Sequence, residues 1–226
     1  MKHITFSLTL IALSCLSLFG GETGHVTCRI LFLDRPANAP TTLHLFDGTA
    51  SREVDLPGMN LSKTYQLPAS TRTLALLPDA IDNPENLPEG APTAELPEGA
   101  SDFYLIVSSD PENAVAPVSL RVIDLGADGL LPGQTLWVNL TPHTLRGSLG
   151  ERELLVEPHA TVILDAPRDD AGDFPVSINF KVADSETPRP VCETRWIHDP
   201  RARNLAIAYP KASSTSPRIS VFADLR

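Results

Sequence analysis

Basic residues are scarce in this chain, cysteines scarcer still, and no long apolar run follows the first twenty positions. Lysine and arginine together number 18 against 28 aspartates and glutamates, a formal net charge of −10. A surface of that sign repels nucleic-acid phosphates and anionic lipid headgroups, so nucleic acid is excluded as a partner. The three cysteines, Cys15, Cys28 and Cys192, include no Cys-x-x-Cys pair, and no Gly-x-Ser-x-Gly elbow, His-Glu-x-x-His helix or glycine-rich phosphate loop occurs. The common redox, hydrolase, metalloprotease and nucleotide-binding signatures are therefore missing, and no cofactor is implied. After the amino terminus no segment approaches the ~20 apolar residues of a membrane-spanning helix.

The amino terminus itself is apolar. Lys2 supplies a positive start, Ile4–Phe19 is interrupted only by Thr, Ser and Cys, and Gly20-Gly21-Glu22 ends the run, the pattern of a secretory signal peptide over residues 1–20. This predicts an extracytoplasmic protein, periplasmic or secreted. A lipid anchor would use Cys15 within Ala12-Leu13-Ser14-Cys15, but the apolar Leu16–Phe19 that follows suits a cleaved leader better.

Proline is abundant instead: 21 residues, set between short runs rich in Val, Ile, Leu, Thr and Phe. Long helices are disfavoured by that spacing, and many short strands are favoured. Val26–Leu33 is nearly continuous, as expected of a strand buried on both faces. Thr42–Phe46 leads through Asp47-Gly48, a hairpin signal, to Glu53–Leu56, and Lys63–Leu67 and Thr71–Leu77 follow. Pro78–Ala100 breaks the rhythm with prolines and carboxylates, and contains Leu87-Pro88-Glu89-Gly90-Ala91 repeated as Leu96-Pro97-Glu98-Gly99-Ala100. It reads as a long extended crossing loop. Phe103–Val107 and Val118–Ile123 complete a first series of strands, a glycine-rich linker covers 126–133, and a second series runs from Thr135 to Ala223.

The two series resemble each other. Pro117–Leu125 matches Pro217–Leu225 in spacing at an offset of 100 residues, as Leu105-Ile106-Val107 matches Leu205-Ala206-Ile207 and Arg52-Glu53-Val54 matches Arg152-Glu153-Leu154. The reading is all-β: two tandem antiparallel β-sandwich (immunoglobulin-like) domains over residues 25–125 and 134–226. Once Cys15 leaves with the leader, Cys28 and Cys192 are the remaining pair, and an oxidising compartment predicts one disulfide between them; two separate buried thiols are the alternative.

Chemistry-bearing side chains concentrate in Val191–Arg203. Trp196, His198, Asp199, Arg201 and Arg203 gather where a strand exits into an Asp199-Pro200 turn, and forked guanidinium donors beside a titratable imidazole suit a carboxylate or a phosphate. Glu193, His198 and Asp199 form a candidate acid-base group for a hydrolase, though without a visible nucleophile. Trp137 and Trp196 are each either an aromatic platform or core. Asp165, Asp169, Asp170 and Asp173 crowd one loop without EF-hand spacing, and His143 and His159 lack the pairing of a zinc site, so no metal is assigned. Asn60 and Asn139 head Asn-x-Ser/Thr sequences.

The leader, Thr42–Phe46 with Asp47-Gly48, Leu136–Leu140 and Trp196-Ile197-His198-Asp199-Pro200-Arg201 together resemble uncharacterised exported β-sandwich proteins of environmental bacteria, a resemblance that spans most of the chain and implies no function. The expectation is a non-enzymatic binding or structural module of the periplasm or cell envelope, with an envelope protein or a glycan as partner. A carbohydrate- or anion-binding sandwich and a hydrolase are the alternatives.

Overall fold

A computed structural model describes residues 24–126, 128–182, 187–211 and 214–225. The expected leader over residues 1–20, with Cys15, lies outside the described residues. Among the described residues the chain is all-β, relieved by a single 3-10 turn at Pro84–Asn86. The first half supplies β1 (His25–Phe32), β2 (Thr42–Phe46), β3 (Ser51–Asp55), β4 (Tyr65–Pro68), β5 (Thr73–Leu77), β6 (Thr93–Glu95), β7 (Asp102–Ser109) and β8 (Val118–Asp124). The second supplies β9 (Thr135–Asn139), β10 (Thr144–Leu149), β11 (Arg152–Val156), β12 (Thr161–Leu164), β13 (Gly172–Lys181), β14 (Arg189–His198), β15 (Arg203–Lys211) and β16 (Ser214–Asp224).

These strands form four four-stranded sheets, β3-β2-β5-β6 and β4-β1-β7-β8 in the first sandwich, β12-β9-β15-β16 and β11-β10-β13-β14 in the second. Adding eight to each strand number converts the first topology into the second. The repeat extends to register. Phe103 opposes Asp124 in the β7–β8 hairpin, and Arg203 opposes Asp224 in β15–β16. The tandem arrangement is compatible with immunoglobulin-like sandwiches, with one correction to a purely antiparallel reading: β1 runs parallel to β7, and β9 parallel to β15. The first and seventh strands of each unit are neighbours in one sheet that no hairpin connects, so their direction is not fixed by a tight turn.

Alternation along β1 explains the layering. Val26, Cys28, Ile30 and Phe32 enter the first core with Leu45, Leu76, Phe103 and Leu105, whereas Leu31 and Leu33 point the opposite way. There they join Tyr104 and Ile106 of the first sandwich and Leu136, Val138, Leu205, Ile207 and Phe222 of the second in one cluster. The two sandwiches therefore stack sheet on sheet, four layers deep, with the β4-β1-β7-β8 and β12-β9-β15-β16 sheets in the middle. The 126–133 connection is held against this seam, because Leu125 and Leu130 are buried in it. In the second core Trp137, Phe174, Ile178 and Phe180 are accommodated by Ala206 and Ala208, Ala206 lying directly beside Trp137 on the paired strand. Large opposes small, as close packing requires.

Pro78–Ala100 is more ordered than an extended crossing loop. Its two Leu-Pro-Glu-Gly-Ala repeats are two similar turns: Ala91 N–H donates to Pro88 O and Ala100 N–H to Pro97 O, with Gly90 and Gly99 at φ of +79° and +80°. Glycine is the residue that adopts that backbone without strain. Between the turns β6 pairs with β5 and becomes the sheet edge. Leu96 enters the first core, and Leu87 and Ala91 pack on Phe46 and Leu77.

The expected disulfide is not formed. Cys28 is buried in the first core, and Cys192 packs against the second. Two cysteines on strands of different sandwiches, with two sheets between their cores, are outside bonding reach.

Candidate functional site

The Trp-His-Asp-Arg corner lies at the exit of β14 and the start of β15, and its members separate. Asp199 builds the turn: its Oδ1 accepts from Arg201 N and Nε, both at 3.0 Å, and its Oδ2 accepts from Nη2 at 2.9 Å, while Ala202 N–H donates to Asp199 O at 3.0 Å. The hydrogen bonds from Arg201 hold the Asp199 carboxyl down at about 2. Both side chains are thereby committed to each other, and Arg201 stands in solvent.

Arg203, two residues on, faces the seam between the sandwiches. Its Nη2 donates to Asp224 Oδ2 at 2.9 Å, and its Nη1 lies 3.8 Å from Asp102 Oδ2. Tyr104 Oη donates to the same Asp224 oxygen at 2.7 Å, and Arg29 pairs with the other. Asp224 is fully buried. Arg29, Asp102, Tyr104, Arg203 and Asp224 thus form one charged network joining β1 and β7 to β15 and β16. The charges satisfy one another, which makes Arg203 a structural clamp.

His198 is 3% exposed, and its Nε2 is buried without a hydrogen-bond partner among the described residues. Burial lowers its pKa below 6.5, the Asp199 charge opposing and Arg168 reinforcing the shift. The ring is neutral at pH 7. Glu193 lies five residues earlier on the same strand, hence on the opposite face, and is exposed. The Glu193, His198 and Asp199 of the hydrolase reading accordingly do not converge.

Trp196 takes an intermediate place. It stacks on buried Trp137 with ring centroids 6.1 Å apart and planes 11° apart, and meets Phe174 edge-on at 6.5 Å. Its remaining surface opens into a groove of about 520 Å³ between the two edge strands β14 and β16, lined also by Arg195, Ile197, His198, Phe174 and Val221. Neither Arg201 nor Arg203 reaches it. Trp137, the other platform candidate, is core. Asn139 is buried, with its Nδ2 donating to His143 O at 2.7 Å and its Oδ1 accepting from Thr141 N and Oγ1, so its amide is closed to modification in the folded chain. In the acidic loop, Asp165 accepts from Gln134 Nε2 at 3.0 Å and Asp173 pairs with Arg195 at 2.5 Å.

Sequence reasoning did not single out β14 as an edge. This strand closes one side of the outer second sheet, with β13 as its partner on the other side. Over ten residues it presents Glu193, Thr194 and Arg195 exposed and Ile197 84% exposed. Its counterpart in the first sandwich, β6, is three residues long and bracketed by Pro92 and Pro97. No protein-family model matches this chain, and no curated protein matches its sequence.

Proposed function

We propose that the protein is an exported, non-enzymatic binding module of the periplasm or cell envelope, and that its second sandwich receives an extended polypeptide segment along β14. The observation that carries this reading is the long, exposed edge of β14 beside the shortened, proline-bracketed edge of β6. Natural sandwiches blunt their edges to prevent strand addition, and a strand of ten residues left open is suited to accept one. Export follows from the leader pattern of residues 1–20, and the acidic surface suits a partner that is not anionic.

A photo-reactive side chain at Thr194 tests this, with Ala94 on β6 as the control. The reading requires adducts from Thr194 and none from Ala94. Proline at Glu193 and at Thr194 adds a second readout, since adjacent strand residues send their N–H groups to opposite sides. One of the two prolines should remove only an outward donor and abolish capture in a folded protein, while the other disrupts the β13 ladder. Equal labelling at Ala94, or capture untouched by either proline, would remove the reading.

The groove beneath Trp196 favours a second reading, a glycan seated against the indole with Arg195 at its rim. Quenching or a shift of tryptophan fluorescence on titration with neutral and acidic oligosaccharides, lost in Trp196→Ala, would support it.

A further inference from the structure

We infer that the segment received by β14 is β14 of a second copy of this chain, paired antiparallel about a two-fold axis through Thr194. This rests on the edge reading above and names its occupant.

The charge pattern of β14 is palindromic about Thr194. Cys192-Glu193-Thr194-Arg195-Trp196 carries opposite charges at equal distances on either side of Thr194, and apolar side chains one position further out. In an antiparallel pair, directly opposed residues point to the same side of the sheet and lie within side-chain contact. A two-fold axis at Thr194 therefore sets Glu193 against Arg195 of the second copy, and Arg195 against its Glu193. Both pairs fall on the solvent face, where both residues are exposed. On the inward face Trp196 meets Cys192 of the second copy, each half-buried against its own core. One step further, exposed Ile197 faces Val191, which lies where the β13–β14 register shifts. Symmetry repeats every contact, so this is an isologous interface.

The side chains are available for it. Glu193 makes no ion pair among the described residues. Arg195 uses Nε on Asp173 and leaves both Nη groups without a hydrogen bond among the described residues, so the fork can hold Asp173 and a facing carboxylate together. The same pairing covers Ile197, the most exposed large aliphatic on the strand, and continues the four-stranded sheet of one copy into that of the other. A one-residue slip in register would set Glu193 against Thr194 or Trp196 and discard both ion pairs. The charges thus fix the register as well as the partner.

Charge exchange tests the proposal by sedimentation of the purified protein across a concentration series. The wild type should show a monomer–dimer equilibrium. Glu193→Arg places Arg against Arg at both sites, and Arg195→Glu places Glu against Glu, so each variant should raise the dimer dissociation constant on the order of tenfold or more. Mixing the two singles should give a heterodimer, because every facing pair is then opposite in sign, and the double exchange E193R/R195E should dimerise like the wild type. Arg195→Glu also gives up the exposed pair with Asp173, which solvent screens and which contributes little to stability, so thermal unfolding of each variant close to wild type shows that the substitutions act on association. A wild type that remains monomeric throughout, or a dimer indifferent to the exchanges, overturns the second copy as occupant. Thr194 adducts to a different polypeptide would do so while leaving the edge reading intact, whereas absence of any Thr194 adduct removes both.

Discussion

The two sandwiches share one topology and one register in their last hairpins, yet they differ at their edges and at the residues that occupy matched positions. The first closes itself. Its outer edge is β6, three residues between two glycine-containing turns, and its flanking leucines are drawn into the core. The second leaves the equivalent strand long and polar on one face, with an apolar groove beneath it. One unit has its edge shortened between turns, and the other has its edge open. The difference teaches that a duplicated fold supplies a spare edge, and that the local sequence of one strand decides whether that edge is sealed or offered.

Asp124 and Asp224 sharpen the comparison most, since they occupy matched positions in β8 and β16. Asp224 is buried between Arg29, Arg203 and Tyr104, and Asp224→Ala strands two guanidinium groups in the seam. We expect it to cost about 3–5 kcal/mol in urea unfolding. Asp124 is partly exposed and one of its carboxylate oxygens is buried without a partner among the described residues, so Asp124→Asn should cost far less than Asp224→Ala and should not destabilise the fold. Equal effects at the two positions would break the claim that the clamp is built on Asp224 and not on its counterpart Asp124. Trp137→Ala should cost about 3–5 kcal/mol through the cavity it leaves, and Trp196→Ala distinctly less, because only Trp137 is fully enclosed.

Acid offers an intermediate test. His198 titrates below 6.5 when folded and near 6.5 when unfolded. Its neutral form is the one that folds, so no stability is lost above pH 6.5. As pH falls below 6.5 the unfolded chain takes up the proton first, and stability declines until the lowered folded pKa is reached. His198→Gln should flatten this part of the melting-temperature profile between pH 7 and 5, and an unchanged slope would show that the decline arises elsewhere. The smallest expected effect is at Ile197: Ile197→Ser should leave stability within about 0.5 kcal/mol of wild type while weakening capture or self-association at β14. A marked loss of stability would mean that Ile197 is packed within its own chain.

Strand positions were legible because alternation is a local signal, and β1 announced its two buried faces by an almost unbroken apolar run. β6 was not legible. Thr-Ala-Glu between prolines has no strand signature, and it is a strand only because β5 offers an unpaired edge beside it. The chemistry of the Trp-His-Asp-Arg corner was legible as residue types and misleading as a group. Neighbouring positions on a strand point to opposite faces, so Glu193 and His198 part company, and Arg201 and Arg203 end in solvent and in the seam respectively. Cys28 and Cys192 were likewise a pair in number alone.

By itself the sequence determined the all-β class, the twofold repetition and which side of most strands is apolar, since these depend on side-chain order within a few residues. Tertiary structure decided that the two units bury a common face, that Asp224 meets arginines from both, and that β14 pairs on one side only among the described residues. Those outcomes depend on which surfaces meet across distances of many residues, and a period of two along a strand carries no record of what lies across from it.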